Sequence, residues 1–190
     1  MKRNCLNVGV NFKLGVGSRK FLNNIIGFMK YILLLVLLSN LNAIAQENSG
    51  IILFENNIKL HWTIKTFNEK EHQIKICKTD FEAKYICAID NAIWYGSDIG
   101  LDKPKNQLTN LVLEIEKNKI ILDVSSMFNP NFSGELSKHQ FKIEKKGNQY
   151  VLYGFFSDGA GTYTAHWRII DNISIREVIS NSEEHFSWQN

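Results

Sequence analysis

Residues 141–170 read FKIEKKGNQYVLYGFFSDGAGTYTAHWRII, and this stretch decides the fold. Its apolar residues alternate with polar ones on either side of two turn signals, Gly147-Asn148 and Asp158-Gly159-Ala160-Gly161. Period-two alternation interrupted by Gly and Asn marks antiparallel strands joined by tight turns. With Gly147-Asn148 at the first corner, Ile143 pairs with Leu152 and Phe141 with Gly154. A turn within 158–161 then pairs Phe156 with Tyr163, Gly154 with Ala165 and Leu152 with Trp167. A slip of one residue would turn every apolar side chain to water, so agreement between the two registers is informative. Both bury Phe141, Ile143, Leu152, Phe156, Tyr163, Trp167 and Ile169, which predicts a three-stranded meander over residues 138–171. Gly154 beside Ala165 leaves room on that face for a ring from an opposing sheet or helix.

The same pattern extends towards the amino terminus. Ile58, Leu60, Trp62 and Ile64 alternate with Lys59, His61, Thr63 and Lys65, a half-buried strand with His61 on its solvated side. A Lys117-Asn118 turn would set Leu111 opposite Val124, Leu113 opposite Leu122 and Ile115 opposite Ile120, all on one face. The segments 103–111 and 129–139 read as loops or short helices. With only two prolines, Pro104 and Pro130, and no sustained helical period, the expected class is all-β. The architecture is an antiparallel β-sandwich or a curved, partly closed barrel of roughly eight to ten strands.

Ahead of this body, Met29-Lys30-Tyr31, the apolar run 32–38 and Ala43-Ile44-Ala45 have the form of a cleavable signal peptide. The expected organisation is therefore a spurious or disordered extension at 1–28, a signal peptide at 29–45 and one β-rich exported domain at 46–190. An uncleaved anchor behind a long amino-terminal region is the rival reading. Gln46 is not a cysteine, so no acylated residue would follow the cut. Cleavage after Ala45 leaves 145 residues, enough for one domain with its own core. It also removes six of the 22 basic residues and none of the 19 acidic ones, leaving a net charge of −3. The basic balance of the whole chain thus belongs to its leader and gives no reason to expect nucleic acid as a partner. The membrane would be met only during export, on the way to the periplasm or the medium.

Without Cys5, the even pair Cys77 and Cys87 remains, and an oxidising compartment predicts a disulfide between them. Opposing 77 and 87 across a hairpin would leave Phe81 to Ala83 as a three-residue loop. Catalytic motifs are scarce. There is no Cys-x-x-Cys, no His-x-x-x-His and no Gly-x-Ser-x-Gly around Ser157, and the glycines at 159 and 161 precede a strand where a phosphate cradle would open a helix. No cofactor or metal is implied. An enzyme of unknown class would need Asp98, Asp123, Asp158 and His166 to converge from separate strands.

What remains is binding. The outward side of the meander pairs Tyr153 with His166, Phe155 with Thr164 and Val151 with Arg168, more aromatic than a solvated face requires. Such a side is either a protein interface or is covered by a helix or second sheet. Trp94-Tyr95 offers two adjacent aromatics entering a turn, and Met127 to Phe132 a further apolar loop. Trp94, Tyr95, Tyr153, Phe155, Asp158, His166 and Arg168 are therefore the candidate binding residues. The expected function is that of a small exported protein that binds another protein, as an inhibitor or immunity-type factor does. The alternatives are a β-barrel carrier of a small apolar ligand and the cross-strand enzyme.

Overall fold

Strands form wherever the alternation marks them, in a computed structural model that describes residues 46–95, 100–157 and 161–189. In chain order they are β1 (Glu47–Leu53), β2 (Lys59–Thr66), β3 (Ile74–Lys78), β4 (Lys84–Ile89), β5 (Ala92–Ile93) and β6 (Asn106–Ile115). There follow β7 (Asn118–Ile121), β8 (Phe141–Lys146), β9 (Gln149–Phe156), β10 (Tyr163–Ile170) and β11 (Ile173–Ser180), eleven among the described residues. The expected signal peptide and the extension before it lie outside those residues.

The strands build two four-stranded antiparallel sheets, ordered β1-β2-β6-β7 and β11-β10-β9-β8, and a small sheet, β3-β4-β5. None closes on itself, so the fold is an all-β sandwich and not a barrel. One core joins the large sheets. Leu60, Trp62, Leu111 and Leu113 contribute from the first, and Leu152, Phe156, Tyr163 and Trp167 from the second. Tyr163 donates a hydrogen bond to the Phe128 carbonyl at 3.0 Å and Trp167 Nε1 donates to the Asp123 carbonyl at 2.8 Å. These partners let two large polar-tipped rings be buried without an unpaired donor. Ile86, Ile89, Trp94 and Phe128 make a separate, smaller core beneath the third sheet.

The meander has the expected registers: Ile143 faces Leu152, Phe156 faces Tyr163 and Leu152 faces Trp167. A fourth strand, β11, extends it, pairing Ile170 with Ile173 and Thr164 with Ser180. Other expectations are corrected. Gly154 makes room for rings of its own sheet: a Cβ there would lie 2.6 Å from Phe156 and 3.2 Å from Phe141. In the β6–β7 hairpin the turn is Glu116-Lys117, with Glu116 at φ +58°, so Leu113 faces Ile120 and Ile115 faces Asn118. The slip is two residues, which preserves the buried face. The segment 103–111 holds the first half of β6, whose pairing with β2 absorbs a bulge at Thr63/Ile64.

Cys77 and Cys87 are bonded, with Cα atoms 5.7 Å apart, but they are not opposite one another. Cys77 faces Tyr85, and a bulge places Ile76 against Ile86 and Lys75 against Ala88. The loop is accordingly five residues, Thr79 to Ala83, closed by a bond from Thr79 N to Ala83 O at 2.9 Å.

Candidate binding surfaces

The outward side of β9 and β10 pairs as expected, Tyr153 with His166, Phe155 with Thr164 and Val151 with Arg168. It is covered, though by neither a helix of length nor a sheet. After β11 the chain folds into two 3₁₀ turns, Glu183–His185 and Ser187–Gln189, and lays its rings along this strip. Phe186 meets Phe155 edge-on at 5.7 Å, Trp188 leans over Tyr153 at 5.6 Å and His185 meets His166 at 5.8 Å. Trp188 Nε1 reaches the hydroxyl of Thr164 at 3.4 Å, and that hydroxyl donates to the Gly154 carbonyl at 2.7 Å. Thr164 is fully buried beneath the indole. Burial pushes His166 below the ordinary histidine value, and its Nε2 is enclosed without a hydrogen-bond partner. Arg168 is occupied by Glu177, Nε at 2.7 Å and a terminal nitrogen at 3.0 Å.

The second candidate pair is divided between the two cores. Trp94 is only 7% exposed and packs with Ile86, Ile89 and Phe128. Tyr95 stacks on Tyr163 with ring centres 6.2 Å apart and donates its hydroxyl to the Ile179 carbonyl at 3.3 Å. Neither ring faces solvent as a free aromatic, because each adjacent position found its own core to fill. Asp158, like Asp98, lies outside the described residues. In the third candidate, Met127, Phe128 and Pro130 are buried and Phe132 alone is largely exposed.

The most exposed aromatic is one that sequence reading left in a hairpin tip. Phe81 is 93% exposed at the end of the β3–β4 arm. Four of the eleven large apolar side chains most exposed among the described residues, Ile76, Phe81, Tyr85 and Ile93, sit on this sheet or its tip. The tip is internally tied: the Thr79 hydroxyl accepts from Phe81 N at 3.3 Å and Ala83 N at 3.2 Å. Behind it the disulfide joins the two strands. At the base His72 Nδ1 lies 2.6 Å from Asp90 Oδ2, and Gln73 N donates to Asp90 Oδ1 at 2.8 Å. Burial acts to raise the Asp90 carboxyl, but these bonds from His72 and Gln73 outweigh it and hold the group below the usual range. His72 stacks on Phe67 at 4.7 Å and meets the edge of Phe128 at 5.4 Å, which fixes the arm to the smaller core.

An open cleft of about 620 Å³ lies at the turns of the sandwich, lined by Ile58, Ile115, Ile143 and Tyr150 with exposed Glu55, Glu116 and Lys145. Of the residues an enzyme reading would gather, only Asp123 and His166 are described, and these two do not meet. Asp123 pairs with Arg176 at 3.1 Å beside the inward Trp167, whereas His166 is on the opposite face of β10. Among the described residues no three His, Cys, Asp or Glu side chains are grouped to hold a metal ion. His72 is oriented by a carboxylate as a general base would be, and among the described residues its buried Nε2 has no hydrogen-bond partner. Comparison with protein-family models, curated proteins and solved structures finds nothing that matches this chain.

Proposed function

We propose that this is an exported β-sandwich protein that binds another protein through the β3–β4 arm, in the manner of an inhibitor or immunity-type factor. The observation that carries the reading is Phe81, almost fully exposed at the tip of a hairpin closed by a disulfide. A phenylalanine left in water at the end of a long arm contributes nothing to the core. Inserted into a partner's pocket it supplies a large apolar area with only two rotors to freeze. The Thr79 bonds, the disulfide and the His72–Asp90 clamp order the arm before any encounter, so less conformational entropy is lost on binding. Ile76 and Tyr85, exposed behind the tip on opposite faces of the hairpin, add apolar surface to either side of it, with Lys75 and Lys84 next to them in sequence.

The test places a photo-activated phenylalanine analogue at position 81 in the native host. A single adduct of defined mass is expected from position 81, and none from Lys119 on the first sheet. Phe81→Ala should then weaken the isolated complex about tenfold or more while leaving the thermal midpoint unchanged. An adduct pattern no different from that of position 119, or a complex indifferent to Phe81→Ala, removes the support. The carrier alternative rests on the cleft near Ile58 and Tyr150, because the space between the sheets is filled by Phe156, Tyr163 and Trp167.

A further inference from the structure

The strip on the outer face of the second sheet is a site distinct from the arm, and the chain itself shows what the strip accepts. Tyr153, Phe155, Thr164 and His166 form a four-residue floor over which Phe186 and Trp188, two positions apart, insert their rings. The floor is built for this occupant. Its central hydroxyl, Thr164, receives the indole N–H, and the Tyr153 hydroxyl is held from β8 on the same face by Lys146 at 3.1 Å and Glu144 at 3.3 Å. The hold on the occupant is slight. Among the described residues no backbone-to-backbone hydrogen bond joins 183–189 to the sheet. The segment's polar ties to the floor include the indole N–H to Thr164, long at 3.4 Å, and a hydrogen bond between the His185 backbone and the His166 side chain, while Glu183, Glu184, Ser187 and Gln189 are exposed. Elements with few buried contacts and no backbone-to-backbone bonds to their support open most readily. The docked segment also leaves His166 Nε2 without a partner, a bond that a better-fitting occupant would supply.

We infer that the strip is a peptide-binding surface whose ligand is a short segment of a partner protein carrying two aromatic residues at positions i and i+2, and that residues 183–189 fill it as a displaceable stand-in. The chemistry of the ligand is read from the resident: a phenylalanine against Phe155, an indole over Tyr153 with its N–H towards Thr164, and a polar group near His166. The inference does not depend on the β3–β4 arm and stands or falls separately from it.

A fluorescent peptide of sequence NSEEHFSWQN, residues 181–190, is titrated into the protein produced from the full reading frame and into its Phe186→Ala/Trp188→Ala variant. Both replaced side chains are half-buried at the surface, so the variant should keep the parent's circular dichroism and melting profile. The expected result is binding to the variant at least about tenfold tighter than to the parent, because the parent's own segment competes at high local concentration. A peptide with both aromatics changed to serine should bind neither. As a second readout, Thr164→Val in the variant background should weaken the peptide by removing the acceptor for its indole. Equal binding to parent and variant, or no binding to either, overturns the inference. So does binding that the serine peptide reproduces, since that would place the recognition in its charges.

Discussion

Replacing both bonded cysteines, Cys77→Ser with Cys87→Ser, tests the reasoning about the arm most directly. The ring spans a sequence separation of 10. Loop-closure entropy for a ring of that size amounts to about 2.7 kcal/mol at room temperature, removed from the unfolded state by the bond. For a domain of this length the loss should lower the thermal midpoint by roughly 6–11 °C and the urea midpoint by roughly 1 M. The placement of the ring sharpens the expectation. The arm rests on a core of only four buried apolar residues, Ile86, Ile89, Trp94 and Phe128, whereas the sandwich core is several times larger. Much of the cost should therefore appear as local opening, with amide exchange accelerating at Lys78, Tyr85 and Ile86 more than at Leu152 or Trp167. Thermal melts, urea titration and native-state hydrogen exchange on the Ser/Ser variant measure both parts. A variant melting within 2 °C of the parent, with arm amides equally protected, would refute the account of the disulfide as the arm's brace.

Three further outcomes are expected. Gly154→Ala should destabilise by roughly 1–3 kcal/mol, because the new Cβ would lie 2.6 Å from ring carbons of Phe156 in a filled core; a melt identical to the parent's would show that the ring yields freely. Tyr163→Phe should cost about 1–3 kcal/mol by stripping the Phe128 carbonyl of its buried donor, read as a lower urea midpoint at unchanged slope. Acidification should loosen the segment over the strip. Burial depresses His166 in the folded state, so the uncovered form takes up the proton more readily; docking is complete above the ordinary value of 6.5 and is lost as pH falls through the lower folded value. The groups facing it set this balance: His185 and its partner Glu184 from the segment, Tyr153 from β9, and Glu177, paired with Arg168, from β11. The indole N–H resonance of Trp188 reports the change, and one that stays fixed from pH 7.5 to pH 5 contradicts it.

The meander was legible because short turns fix both its registers: Lys146 faces Gln149 across Gly147-Asn148, and strand alternation leaves one solution on either side of 158–161. The β6–β7 hairpin was legible only in its faces. Glu116 accepts a left-handed backbone, which moves the two-residue turn one position towards the amino terminus and slips the register by two, and apolar alternation is blind to an even slip. The cysteine pairing was legible from the even count left after the expected leader, but the bulge at Lys75/Ile76 has no signature in Lys-Ile-Cys-Lys, so the five-residue tip and its exposed Phe81 were not. Trp94 and Tyr95 misled for a physical reason. Adjacent residues point apart, as these two do, but separate cores lie on the two sides and each ring packs against its own. The segment over the strip has no periodicity because 3₁₀ turns of three residues are too short to show one. The spacing in Phe186-Ser187-Trp188 was its one signal.

The two outer faces of the sandwich meet water in different ways. On the first sheet Glu114 takes Lys59 at 3.0 Å and His61 at 3.1 Å, and Glu47 takes Lys65 at 3.2 Å, beside Ile51, Leu53 and Ile121, which stay exposed on the same face. The second sheet presents Tyr153, Phe155 and His166 instead and spends its last residues covering them. A tethered segment of this kind acts at an effective concentration on the order of millimolar. A free peptide making only the same contacts would have to approach that concentration to displace it, so the parent protein should ignore such a peptide at micromolar levels. A natural ligand must do better than copy the segment, and the structure offers two means. It can pair with His166 Nε2, which the resident leaves alone, or it can be delivered at high local concentration by a protein already held at Phe81. The second route predicts that Phe186→Ala/Trp188→Ala strengthens capture of a partner engaged by the arm, while Phe81→Ala abolishes that gain. An unchanged affinity in the first variant would mean that the strip and the arm serve separate ligands.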